Sequence, residues 1–223
     1  MHIEPGIVNG AKIALSYATA AGAAGVTVKL GWDALRSGGL ASLVARSTMA
    51  TAAVFSFFQL LPHFPVGVSE VHFILGSTLF LLLGAAPAAL GLALGLLLQG
   101  LFFAPLDLPQ YFINVTTLLV PLFALKALAA RIIAPGTAYV DLKYSQALAL
   151  STAYQGGVVA WVAFWAFYGQ GFGAFASVAS FGAAYMLVVA IEPLVDLAIL
   201  AGAKSLRGLD RTGLVTPRLY NAA

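Results

Sequence analysis

The chain has 223 residues, 61% of them hydrophobic and 9% charged, with a formal charge of +3 and a mean hydropathy of +0.96. Soluble domains carry about 45–50% apolar and about 25% charged residues, so a soluble globular domain, a nucleic-acid binder and a disordered chain are all excluded. The composition fits an all-α polytopic membrane protein, expected to form one domain over 1–223, with its basic excess facing anionic lipid.

Met1-His2-Ile3-Glu4-Pro5-Gly6 lacks a basic n-region and carries Glu4, so it reads as a mature N-terminus and not as a signal peptide. A helix needs about 20 largely apolar residues to cross the hydrocarbon. Apolar stretches run over 7–28, 42–61, 71–83, 87–103, 112–134, 145–168 and 172–203. The third and fourth are separated at Gly84-Ala85-Ala86-Pro87, where proline removes a donor and clashes with the preceding turn. Both are short, which lets one of them start below the membrane surface. Lys29, Arg36 and Arg46 follow the first stretch, Lys126, Arg131 and Lys143 flank the end of the fifth, and Lys204, Arg207, Arg211 and Arg218 follow the seventh. Loops 62–70, 104–111 and 169–171 hold no Lys or Arg. Seven transmembrane helices, with the N-terminus outside and the C-terminus cytoplasmic, satisfy the positive-inside rule, and six do not. Trp161, Trp165 and Tyr168 share one face and read as an interfacial aromatic belt.

Missing motifs narrow the chemistry. Without GxxxxGK[ST] the chain does not hydrolyse ATP through a P-loop, and HExxH and GxSxG are absent too. Cysteine is absent, which excludes thiolate sites and disulfides. The histidines His2, His63 and His72 all fall on the outer side of this topology. A histidine at position 2 offers a metal three coplanar nitrogens: the Met1 amine, the His2 backbone nitrogen and the His2 imidazole, closing two fused chelate rings. A fourth nitrogen from another histidine would complete a square-planar set, the geometry typical of Ni(II) or Cu(II). Binding at these nitrogens displaces protons and weakens as pH falls. His63, in Leu61-Pro62-His63-Phe64-Pro65, reads as a solvated loop residue, and His72 reads either as a ligand or as a capping group beside Glu70.

Several of these residues form patterns similar to those of one family. Met1-His2-Ile3 with Gly6, Val71-His72-Phe73 with Gly76 and Leu79, Leu98-Gln99-Gly100-Leu101-Phe102-Phe103 with Asn114, and Ile191-Glu192 run through nearly the whole chain. In these the chain resembles the metal-capturing S component (CbiM/NikM type) of the cobalt/nickel energy-coupling-factor ABC transporters. It departs from the family pattern at Glu4-Pro5, Ser69-Glu70 and Pro193. The resemblance implies metal ligands at Met1, His2 and His72, with Co2+ or Ni2+ as transported substrate and no resident cofactor. It also implies partnership with a transmembrane T component and two P-loop ATPase subunits in the inner (plasma) membrane, with a small accessory membrane subunit as a further candidate, and no catalytic residues. The competing readings are an intramembrane metal-dependent enzyme, for which no histidine joins Glu192 and Asp196, and a retinal protein, for which Lys204 sits too near the helix end.

Two further expectations concern packing. Gly10, Ala14, Ala18 and Gly22 recur every four residues, a small-residue stripe suited to close helix approach, either to the T component or within this chain. Glu192 and Asp196 lie four apart on one helical face inside the last segment and need partners there. Lys126 or Arg131 is expected within salt-bridge reach of them, tying the fifth segment to the seventh.

Overall fold

The computed structural model describes residues 3–221, the side chain of Arg207 excepted. Helix α1 (Ala14–Gln59) follows a 3-10 turn at Gly10–Ile13 and is broken at Gly39, whose φ of +78° suits glycine. The break divides it into two arms, 14–38 and 40–59. A short hairpin follows, β1 (Phe64–Val66) and β2 (Ser69–Val71), pairing Phe64 with Val71 and Val66 with Ser69. Then come α2 (Gly76–Leu83), α3 (Ala85–Phe102), α4 (Tyr111–Ile132), α5 (Tyr144–Gln170) and α6 (Phe175–Ser205), and a tail with 3-10 turns at Arg207–Arg211 and Pro217–Leu219.

The helices run between two ends of the molecule. At the hairpin end, Lys12 at the start of α1 donates to the Gly169 carbonyl near the end of α5 (2.8 Å), where a cation suits the helix dipole. At the tail end, Ser42 donates to the Gly213 carbonyl (2.6 Å) and Lys204 pairs with Asp141 (2.7 Å). The second arm of α1 and α3 run parallel and almost touch backbone to backbone. A Cβ at Gly91 would lie 2.3 Å from Ala50 Cβ, and one at Gly95 would lie 2.7 Å from Val54 Cγ1.

Four helical runs are long and apolar enough to cross a membrane: Gly10–Gln59, Ala85–Phe102, Pro105–Ile132 and Tyr144–Ser205. The chain is therefore an all-helical, multi-pass membrane protein apart from its one small hairpin. The third expected segment, 71–83, is helical only from Gly76. Its eight-residue helix is about 12 Å long, well short of a crossing, because Ser69–Val71 pairs as a strand and 72–75 is a loop.

The break between α2 and α3 falls at Gly84 (φ +92°), where the sequence places it. Pro87 has no N–H for the Leu83 carbonyl, and Arg46, only 4% exposed, supplies that bond through Nη1 (2.8 Å). The Leu82 carbonyl is taken by the Thr216 N–H of the tail (2.8 Å). Arg46→Met should therefore lower stability by about 1.5–3 kcal/mol, the range for a hydrogen bond made by a charged group. Thermal unfolding of the detergent-purified protein, with exposed Arg36→Met as control, measures it.

Two packing expectations resolve differently. Ala14 and Ala18 are exposed and a Cβ at Gly22 would meet nothing within 4 Å, so the small-residue stripe is not used inside this chain. Trp165 is fully buried, and Trp161 donates to Thr116 Oγ1 (3.2 Å). Those two indoles belong to the packing of α5 and not to an interfacial belt, and only Tyr168 remains exposed.

Candidate functional site

The hairpin end is where the separated motifs meet. Ile3, 1% exposed, forms an antiparallel bridge with Ser69, and its N–H donates to Asn114 Oδ1 of α4 (2.9 Å). The Glu4 N–H donates to the Val68 carbonyl (3.1 Å), and Gln110 Nε2 donates to the Glu4 carbonyl (3.3 Å). The N-terminal segment thus lies along β2, on the strand that leads to His72.

His72 is buried at the foot of the hairpin, 1% exposed. Its Nε2 lies 2.8 Å from Glu70 Oε2, two residues away on the same side of the extended chain. A carboxylate on one imidazole nitrogen fixes the ring and tautomer and raises the basicity of the other nitrogen, the usual support for a metal-ligating histidine. Phe58 meets the ring edge-on at 5.2 Å. His63 is exposed, as expected of a loop residue, but its ring stacks on His72 at 4.8 Å with 14° between planes. That contact was not foreseeable from the sequence, since it depends on how the loop before β1 folds back.

The surroundings are acidic. Burial, with the nearby Glu70 and Asp107 carboxylates adding to it, pushes the Glu4 carboxyl above its ordinary range. Such a mouth favours cations over anions. Beside His72 an apolar cavity of about 370 Å³ opens between the hairpin and α6, bordered by Phe64, Val71, Leu187 and Ile191.

Among the described residues no group of three or more His, Asp or Glu side chains gathers to hold a metal ion. A site at His72 therefore needs further donors. The expected ones, Met1 and His2, lie outside the described residues. Of the other motif residues, Asn114 touches the N-terminal segment directly, and Gln99 is buried in α3 while Leu98, Leu101, Phe102 and Phe103 are exposed.

Glu192 and Asp196 are buried as expected, 0% and 1% exposed, but not with the expected partners. Lys126 and Arg131 are both exposed on α4, and neither pairs with these carboxylates. Instead Glu192 Oε1 accepts the N–H groups of Leu75 (2.9 Å) and Ile74 (3.3 Å), and its Oε2 accepts the Ser151 hydroxyl (3.4 Å). Asp196 Oδ1 accepts the Thr78 hydroxyl. The start of α2 and the residues just before it supply most of the donors, because a helix N-terminus has unsatisfied N–H groups and the positive end of the dipole, and Ser151 of α5 adds one hydroxyl. Depth along the sequence could not reveal this, since the two backbone donors to Glu192 lie just before a helix start more than a hundred residues away.

Long apolar helices, with a buried histidine on a carboxylate beside the strand that carries the N-terminal segment, define a multi-pass membrane protein. A family model described as the cobalt uptake substrate-specific transmembrane region (CbiM) matches residues 2–208, and the chain belongs to that family. It is a cobalt-uptake membrane component, a transport protein as its resemblance implied. Neither a curated protein nor a solved structure matches the chain.

Proposed function

We propose that this chain is the substrate-capturing S component of an energy-coupling-factor ABC importer for Co2+ or Ni2+. The substrate ion would be held by the Met1 amine, the His2 backbone nitrogen and imidazole, and the His72 imidazole. One observation carries the reading: the antiparallel bridge between Ile3 and Ser69 anchors the N-terminal segment on β2, three residues before His72. Two residues reach about 7 Å, enough to deliver an amine and an imidazole to a ligand anchored there. Glu70 supports His72 from the other nitrogen, and the Glu4, Glu70 and Asp107 carboxylates draw cations to the mouth.

The same reading sets the hairpin end outside and the tail inside, with seven segments threading between them. The chain carries no P-loop, so the energy would come from two partner ATPases through a transmembrane T component. The exposed Ala14–Ala18 stripe offers that component a surface. Protein purified from cobalt- or nickel-supplemented cultures should carry about one ion per chain by elemental analysis, and His72→Ala should carry much less. Equal metal content in parent and His72→Ala would overturn the assignment.

A further inference from the structure

The peptide that carries His72 is held from behind by one face of α6. Three α6 residues, Ser177, Tyr185 and Glu192, follow at intervals of eight and seven, so they lie on one stripe of the helix. Each meets the hairpin segment at a different height. At the turn, Gly67 (φ +64°) approaches so closely that a Cβ would lie 2.0 Å from the Ser177 carbonyl oxygen. Lower down, the fully buried Tyr185 donates its hydroxyl to the His72 carbonyl (3.3 Å), with its ring fixed against Phe181 at 4.8 Å. Lowest of the three, Glu192 Oε1 accepts the N–H groups of both Ile74 and Leu75.

Leu75 shows that this grip determines conformation. It has φ +53°, and among the described residues no other non-glycine has a positive φ. A bulky side chain enters that region only where its surroundings impose it. Here the imposing group is the Glu192 carboxylate, whose two bonds turn the chain from β2 into α2 directly below His72.

We infer that Glu192 and Tyr185 are positioning residues for the metal ligand: α6 clamps the 72–75 peptide and so fixes where the His72 imidazole points. The inference deepens the proposed metal site and rests on it for its consequence in affinity, but not for the clamp itself. Because hairpin and helix are joined at three heights, His72 moves with α6, and a shift of α6 against α2 would release the ring.

Three variants of the full-length protein in detergent separate the possibilities. Glu192→Leu keeps much of the volume and removes the acceptor, Glu192→Gln keeps an acceptor oxygen, and Tyr185→Phe removes one buried hydroxyl while preserving the ring. Histidine-selective isotope labelling reads the His72 ring by NMR in metal-free protein, with His63→Ala and His2→Ala variants giving the assignment. Nickel titration reads the affinity. Glu192→Leu should broaden or shift the His72 signals and weaken nickel binding by about 10–100-fold, the usual cost of losing support around a metal ligand. Tyr185→Phe should do the same to a smaller extent, and Glu192→Gln should restore both readouts nearly to the parent. If Glu192→Leu does not fold, Tyr185→Phe decides alone. Parental His72 signals in the folded variants overturn the clamp, whatever the affinity. Altered signals with parental nickel affinity support the clamp and overturn His72 as a ligand.

Discussion

Placing one alanine between Met1 and His2 should abolish metal uptake while leaving the protein folded. The insertion keeps every side chain of the parent and adds only a methyl-bearing peptide unit. It moves the imidazole one residue from the amine and adds a backbone nitrogen between them, so the terminus fills a square plane by itself and leaves no position for His72. Four-ligand metal sites in small domains are worth about 10–16 kcal/mol, roughly 3 kcal/mol per ligand, or about a hundredfold in affinity for each one lost. The insertion takes His72 out of the set, so metal uptake by the transport complex should collapse even where the new terminus still holds an ion. His2→Ala and His72→Ala should each lose about two orders of magnitude in affinity. Ile3 remains pinned to Ser69 and Asn114 in all of these, so the unfolding midpoint should stay near the parent's. Parental metal uptake by the insertion variant would show that the amine is no ligand.

The second large effect is expected at the exposed stripe of α1. Ala14→Trp and Ala18→Trp should weaken association with the T component by about 5- to 150-fold, since an oversized side chain in a tight helix contact costs about 1–3 kcal/mol. Metal binding by the isolated chain should be unchanged, because neither position packs against the rest of the molecule. Co-purification with a tagged T component, alongside nickel titration, measures both. Loss of metal binding together with the partner would mean that the stripe supports the fold after all.

Much of the architecture was legible in the sequence because a membrane helix must satisfy its backbone within itself and bury apolar side chains over a fixed length. The stretches near 112–134 and 145–168 became α4 and α5 within a few residues, and the break before Pro87 follows from one missing N–H. The first loop was harder. The helix runs on to Gly38 through Lys29 and Arg36, because charged residues at a membrane surface need not end a helix, and the break is made by Gly39 alone. The β1–β2 hairpin turns at Gly67-Val68 between two three-residue strands, too short to stand out beside the apolar run of 71–83.

The candidate site divides along the same line. The proposed ligands Met1, His2 and His72 come from chemistry and from motif likeness, since a ligand set is proposed from residue type and position. The sequence by itself also determined that Glu192 and Asp196 would be buried and would require partners. Only the tertiary structure decided which partners: the start of α2 and not Lys126 or Arg131, and it likewise set Ile3 beside Ser69, laid His63 on His72 and gave Arg46 to the open end of α2. The reason is physical. Hydrophobic length and residue chemistry are local properties of the chain, whereas unsatisfied backbone groups at helix ends carry no residue signature and become visible as donors or acceptors only when another element is packed against them.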